Sequence, residues 1–216
     1  MPPAVLWDLD GTLVDSADYH FDSWIEALAP EGRSLTRDQF RATFGQRNDR
    51  ILAGWFGADA PPALVARIAD AKETAYRRMV RERGLVPLPG ASHWVAALHA
   101  WGWPQAIASS APRANIDVVL EALGWRDDFQ AIVASEDVRA GKPDPEVFLT
   151  AAARLAAPAT ACIVVEDAAA GVEAARRGGM RSIGVGDHAA PASPDLAVPS
   201  LDALTDADWQ RLSICR

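Results

Sequence analysis

The sequence predicts an α/β protein, a parallel sheet flanked by helices, with a helical segment inserted near its start. Three observations point there. Five short apolar runs each end in polar residues, Ala- and Leu-rich stretches of helical period lie between them, and one long segment breaks that rhythm with helices alone. At 216 residues the chain suits one domain carrying a smaller insertion, because single cores stop growing near roughly 250 residues.

Ala4-Val5-Leu6-Trp7 reads as a buried strand that runs into Asp8-Leu9-Asp10-Gly11-Thr12. Residues 16–87 then carry helical patterns at Tyr19 to Leu28, Asp38 to Phe44 and Leu64 to Arg83, with no convincing strand. We assign 16–87 to a helical cap, and 1–15 with 88–216 to the core. The crossings at Val14-Asp15-Ser16 and at the Pro/Gly-marked Val86 to Gly90 can serve as a hinge. A helix from Trp94 to Ala100 precedes a strand, Gln105 to Ala108, that ends in Ser109-Ser110. A helix from Ile116 to Leu123 precedes the strand Ala131 to Ala134, which ends in Ser135-Glu136. A helix from Pro145 to Leu155 leads to Cys162 to Val165 and then Glu166-Asp167, and a helix from Ala169 to Arg177 leads to Ser182 to Val185. A Pro/Ala-rich loop, Ala189 to Pro199, comes before a last strand. In an open parallel sheet ligands bind at the carboxyl ends of the strands, where the polar residues collect here.

Composition narrows the function. With 21 Lys+Arg against 29 Asp+Glu the net charge is −8, which excludes a basic nucleic-acid-coating protein. Half the residues are hydrophobic and 23% are charged, so the chain has a packed core. Cys162 and Cys215 make no disulfide framework and fit a reducing, cytoplasmic setting. No apolar run approaches the about 18 residues of a membrane span, and charged Asp8 and Asp10 interrupt any signal-peptide core, so no membrane partner is expected. The eight Trp are scattered without a repeat and are expected in core and interdomain packing. A monomer is expected.

Asp8 and Asp10 stand two apart beyond a strand, so both can face one cavity while Leu9 points away. Asp-Gly and Thr are also ordinary turn residues, so a capped turn explains this segment as well. Glu166-Asp167 would bring two more carboxylates to the same sheet edge. Four acids there want a hard divalent cation, Mg²⁺, with substrate phosphate and water as further ligands. Asp167 can equally be a helix N-cap. Ser109 and Ser110 could hold phosphate oxygens at a helix start or simply cap it. Lys142, in Gly141-Lys142-Pro143-Asp144-Pro145, could damp the repulsion between an aspartate and a phosphate, although a surface lysine often does nothing.

Taken together the four segments resemble the four motifs of the haloacid dehalogenase superfamily in order and spacing, in its phosphotransferase branch. Asp-x-Asp-Gly-Thr is similar to Asp8 to Thr12, the strand ending in Ser/Thr to Ile107 to Ser109, the motif lysine to Lys142, and the acidic motif to Glu166-Asp167. Likeness to the beta-phosphoglucomutase-like subfamily extends through Asp18 to Phe21, Lys142 to Phe148, Val165 to Val172 and Ile183 to Gly186. The resemblance implies a Rossmann-like core with an inserted helical cap. It implies Asp8 as nucleophile, Asp10 as acid/base, and Ser109 and Lys142 as holders of the transferring phosphoryl group. It also implies Mg²⁺ on the Asp8 side chain, the Asp10 carbonyl and Asp167, with Glu166 close by. Implied substrate contacts are Gly11, Thr12 and Ser110 in the core and His20, Gly45, Arg47, Asn48, Arg50 and Lys72 in the cap.

The loop Phe44 to Arg50 resembles the subfamily's specificity loop, but Asn48 stands where the mutase has an arginine that grips a second phosphate. Asp at position 10 favours an oxygen leaving group over dehalogenation, and Lys72 resembles a phosphate-contacting lysine rather than a Schiff base. The expectation is therefore a Mg²⁺-dependent phosphatase of small phosphorylated metabolites, sugar phosphates foremost, acting through phospho-Asp8. A sugar phosphomutase is the alternative, and a silent binding module a third.

Overall fold

The computed structural model describes residues 2–213, so the expectation for Cys215 lies outside the described residues. Six strands form one parallel sheet: β1 Ala4–Trp7, β2 Gln105–Ala108, β3 Ala131–Val133, β4 Cys162–Glu166, β5 Arg181–Val185 and β6 Leu196–Val198. Their order is β3-β2-β1-β4-β5-β6, so the chain's direction of travel across the sheet reverses between β1 and β4. That reversal opens a crevice at the strand ends, the place where a doubly wound sheet binds its ligand.

Alternation along the central strands divides the core in two. Val5 and Trp7 on β1, Ile107 on β2 and Ile163 and Val165 on β4 face α5 Ala91–Ala100, α6 Arg113–Leu123 and α9 Asp206–Ser213. Ala4 and Leu6, Ala106 and Ala108, and Cys162 and Val164 face α7 Glu146–Arg154 and α8 Ala169–Arg177. Burial on both faces explains why these strands read as unbroken apolar runs.

Between β1 and α5 lie α1 Ala17–Leu28, α2 Arg37–Arg41, α3 Asn48–Phe56 and α4 Pro62–Arg83, which enclose a third core of Trp24, Leu28, Phe40, Ile51, Leu52 and Ile68. The two crossings into this segment run side by side. Val14 bridges Pro87, and the Leu88 amide donates to the Leu13 carbonyl at 2.9 Å.

Several expectations are corrected. Asn48 to Arg50, read as the end of a loop, open a helix that runs on to Phe56 and whose pattern is hidden by Asn48-Asp49-Arg50 and Gly54. The last strand lies inside the Pro/Ala-rich stretch rather than after it, and α9 follows it. The tryptophans pack mainly within cores: Trp7, Trp94 and Trp103 surround Trp209 at ring distances of 5.6 to 6.1 Å, while Trp24 meets Trp55 at 5.0 Å. Among the described residues no helix is long and apolar enough to cross a membrane.

Candidate active site

The pairing of β1 with β4 places Trp7 opposite Val165. The Asp8 amide donates to the Val165 carbonyl at 3.0 Å, so Asp8 emerges next to Glu166, the last residue of β4. Both carboxylates are buried, Glu166 to 1% exposure. Lys142, in the loop between β3 and α7, reaches between them: its Nζ donates to Asp8 Oδ1 at 2.5 Å and to Glu166 Oε1 at 2.7 Å. Oxygens of Asp8, Glu166 and Asp167 come within 4.8 Å of one another.

Two glycines make room for these acids. At Gly11, with φ of +89°, a Cβ would stand 2.5 Å from Asp167 Oδ2. At Gly171, in the first turn of α8, a Cβ would stand 1.9 Å from Glu166 Oε1. Glu166 Oε2 accepts the Ala168 amide at 2.7 Å, and Thr12 Oγ1 donates to Asp167 Oδ1 at 2.9 Å. Asp167 is thus no N-cap: Ala168 takes that position, and Thr12 holds the Asp167 carboxylate instead.

Three carboxylates face one ammonium, and the charge imbalance appears in their proton affinities. Burial pushes the Asp8 carboxyl well up; Lys142 pulls it back, while Glu166 and Asp167 raise it further. Burial and then the Glu166 charge push Asp167 up to about 7. Lys142 is held above the ordinary lysine range: burial opposes its charge, but Asp8 and Glu166 outweigh that. A set of carboxylate oxygens carrying excess negative charge, without sulfur or imidazole, fits a hard divalent cation such as Mg²⁺.

Asp10 belongs to a different network. Its Oδ1 accepts from Ser16 Oγ at 2.6 Å, from His20 Nε2 at 3.1 Å and from Tyr76 Oη at 3.4 Å. Burial pushes this carboxyl up, but His20 and Ser16 more than offset it and bring it down to about 2. Lys72 Nζ stands 2.9 Å from His20 Nδ1, which directs the ring's Nε2–H at Asp10. Lys72 also donates to Glu73 Oε1 at 2.8 Å and lies over the Trp24 and Tyr76 rings at 5.5 and 5.4 Å.

One cavity joins the two networks. Asp8, Asp10, Ser109 and Ser110 line its sheet side, and His20, Gly45, Asn48 and Lys72 line its helical side. Gly11, Thr12 and Asp167 border a separate groove behind the acids. Ser109 and Ser110 precede α6 by several residues rather than starting it, and Ser109 Oγ accepts the Ala111 amide at 3.0 Å. Arg47 and Arg50 do not line the cavity. The Arg47 guanidinium donates to the carbonyls of Ser135 at 2.9 Å and Val138 at 3.2 Å, its side chain passing over Gly141, while Arg50 is exposed. Those contacts tie the helical segment to the sheet domain.

Sequence reading missed Glu73, Tyr76 and Ser16. The phase of α4 carried a signal for two of them: Ile68, Lys72, Ala75, Tyr76 and Met79 form its buried stripe, so Lys72 and its neighbour Glu73 are charges placed against a core.

Residues 2–179 match the family model described as haloacid dehalogenase-like hydrolase. The chain belongs to the haloacid dehalogenase-like hydrolases. Among its relatives, beta-phosphoglucomutase of Bacillus subtilis (strain 168) is 31% identical over 98% of this chain and 97% of its own length. Fructose-1-phosphate phosphatase YqaB of Escherichia coli (strain K12) is 32% identical over 84% of this chain and 95% of its own. The crystal structure of a beta-phosphoglucomutase from Clostridium difficile superposes with a TM-score of 0.87 at 28% identity, covering 99% of this chain and 97% of that one. This haloacid dehalogenase-like hydrolase is therefore an enzyme of the beta-phosphoglucomutase-like subfamily with that family's Rossmann-like core.

Proposed function

We propose that the protein is a Mg²⁺-dependent phosphatase of small phosphorylated metabolites, sugar phosphates foremost, acting through a phosphoryl group carried on Asp8. One observation carries this: Asp8 and Asp10 face one cavity, yet Asp8 is fixed by Lys142 and the acids of β4 while Asp10 is held by Ser16, His20 and Tyr76 from the helical segment. Two carboxylates in such different surroundings take different roles.

An Asp8 oxygen attacks phosphorus and the ester P–O bond breaks, with the leaving oxygen taking its proton from the Asp10 carboxyl. In the second step Asp10, now ionised, removes a proton from water as that water attacks phosphorus, and Asp8 leaves as a carboxylate with release of phosphate. In the free site His20 and Ser16 hold Asp10 ionised, with a low proton affinity that must rise for it to act as the acid of the first step. Arrival of a phosphate dianion raises that affinity for the first. Ser109 and Lys142 hold the phosphoryl oxygens. Asp8, Asp167 and the Asp10 carbonyl would hold Mg²⁺, with Glu166 beside it, and the ion would supply charge shielding for the transferring phosphoryl group.

Residues 16–87 act as a mobile cap on the paired crossings at Val14 and Pro87, closing over the substrate to hold it against Asp8 and Asp10. A reducing cytoplasm suits buried Cys162, whose thiol burial pushes up to about 11. A mutase must grip a second phosphate, whereas here Asn48 is bound to Glu73 and Arg47 to the core backbone.

Phosphate release with Mg²⁺ is to be measured over a panel of sugar phosphates including beta-glucose 1-phosphate, with glucose 6-phosphate formation followed in the same samples. Free phosphate without isomerised sugar is the expected result. Glucose 6-phosphate without free phosphate would make the protein a mutase.

A further inference from the structure

The helical end of the cavity is built around a carboxylate. Glu73 lines the cavity at 6% exposure, and each of its oxygens is engaged. Oε1 accepts from Asn48 Nδ2 at 2.6 Å and from Lys72 Nζ at 2.8 Å, and Oε2 accepts from Asn115 Nδ2 on α6. Asn115 is in turn fixed by Arg77 Nη1, which donates to its Oδ1 at 3.0 Å. Burial pushes the Glu73 carboxyl up, but the Lys72 charge and the hydrogen bonds from Lys72 and Asn48 help bring it below the ordinary glutamate value. Four residues from three helices therefore hold one negative charge at a set place.

The basic groups around it are already committed. Among the described residues lining the cavity, the basic side chains are Lys72 and His20. Lys72 is neutralised by Glu73 and turns another proton to His20, whose second nitrogen meets Asp10. Arg47 is spent on the Ser135 and Val138 carbonyls. The remaining helical wall includes Trp24, Phe40, Phe44 and Ile51, which are apolar. A second phosphate here would meet a buried carboxylate without a free cation, and like charges in a desolvated site repel strongly. Hydroxyl groups, by contrast, can donate to Glu73 and accept from the Asn48 and Lys72 donors around it.

We infer that Glu73 is a specificity-determining residue, whose carboxylate reserves the cap end of the cavity for the uncharged, hydroxyl-bearing end of a monophosphate and rejects substrates with a second phosphate. This rests on the phosphatase reading above and names the substrate class within it.

The test uses the Mg²⁺-supplemented full chain with p-nitrophenyl phosphate as the reporter substrate. Fructose 1-phosphate and fructose 1,6-bisphosphate, which differ by one phosphate, are compared as competitors. The wild type is expected to bind the monophosphate more tightly by about tenfold or more, and Glu73→Gln is expected to erase most of that ratio. Because the ratio is taken within one preparation, a merely structural effect of the substitution moves both constants together and leaves it unchanged. If Glu73→Gln does not fold, Asn48→Arg, which sets a guanidinium against the carboxylate, is expected to shift the ratio in the same direction. Reporter hydrolysis with equal binding of the two competitors by the wild type, or with a ratio that neither variant moves, overturns the inference and leaves the phosphatase reading intact. Absence of reporter hydrolysis by the wild type overturns both.

Discussion

The ammonium of Lys142 lies 2.5 Å from the carboxylate of Asp8, both side chains being almost wholly buried. Lys142 comes from the loop after β3 and Asp8 from the end of β1, so the contact joins two distant parts of the chain at the sheet's crevice. The same ammonium meets Glu166, making it the counter-charge for two acids.

Lys142→Met should therefore strand buried carboxylates. Breaking a buried pair in this way costs about 3–5 kcal/mol, and Mg²⁺ should return part of it. Denaturant unfolding in chelator and in Mg²⁺ checks this; equal stability of variant and wild type in chelator would show that the ammonium is not needed to hold the acids together.

Asp10→Asn should slow hydrolysis of alkyl phosphates by about 10²–10⁴-fold, since the leaving alkoxide loses its proton donor. The first step with p-nitrophenyl phosphate, whose leaving group departs without a proton, should suffer much less. Pre-steady-state release of nitrophenolate separates the two, and an equal loss of the first step for both substrate types would assign the acid elsewhere.

Arg47→Ala removes two hydrogen bonds between the helical segment and the Ser135 and Val138 carbonyls. Closure should weaken, lowering kcat/KM by about tenfold for every substrate alike, with little change in Tm. Substrate-dependent losses would instead put the guanidinium on the substrate.

The acids also set a pH dependence in the metal-free protein. Asp167 is raised from 3.8 to about 7, and Asp8 shifts in the same direction. A carboxyl raised on folding binds its proton more tightly when native, so its contribution is full below the unfolded value and is lost as pH rises through about 7. In chelator, Tm should be lower near about pH 8 than near about pH 5.5, and Mg²⁺, which binds the deprotonated acids, should raise Tm more at the higher pH. A Mg²⁺ increment that is the same at both would contradict this.

How much of this was legible in the sequence depends on which force placed each residue. Asp8, Ser109 and Glu166 follow or end strands buried on both faces, and parallel pairing carries such residues to one edge whatever the loops do. Side-chain direction in the cap was not legible. Arg47 was read as facing substrate, yet it turns to backbone carbonyls, and Asn48, which does line the cavity, is held there by Glu73; both choices are made by tertiary neighbours that no spacing encodes. Glu73 was overlooked because charged residues are ordinarily solvated on a helix, although its phase beside Lys72 placed it against a core. The three-residue β6 was too short to stand out within its Pro- and Ala-rich surroundings.

The central claim, a phosphoryl group carried on Asp8, is tested most directly by rapid acid quench of the Asp10→Asn enzyme during reaction with p-nitrophenyl phosphate, followed by peptide mass analysis. Without its base the enzyme should accumulate the intermediate, and the peptide holding Asp8 should gain the mass of one phosphoryl group, a gain that disappears when Asp8 is also changed to Asn. Turnover with no phosphorylated peptide, or with the group on another residue, would contradict the mechanism.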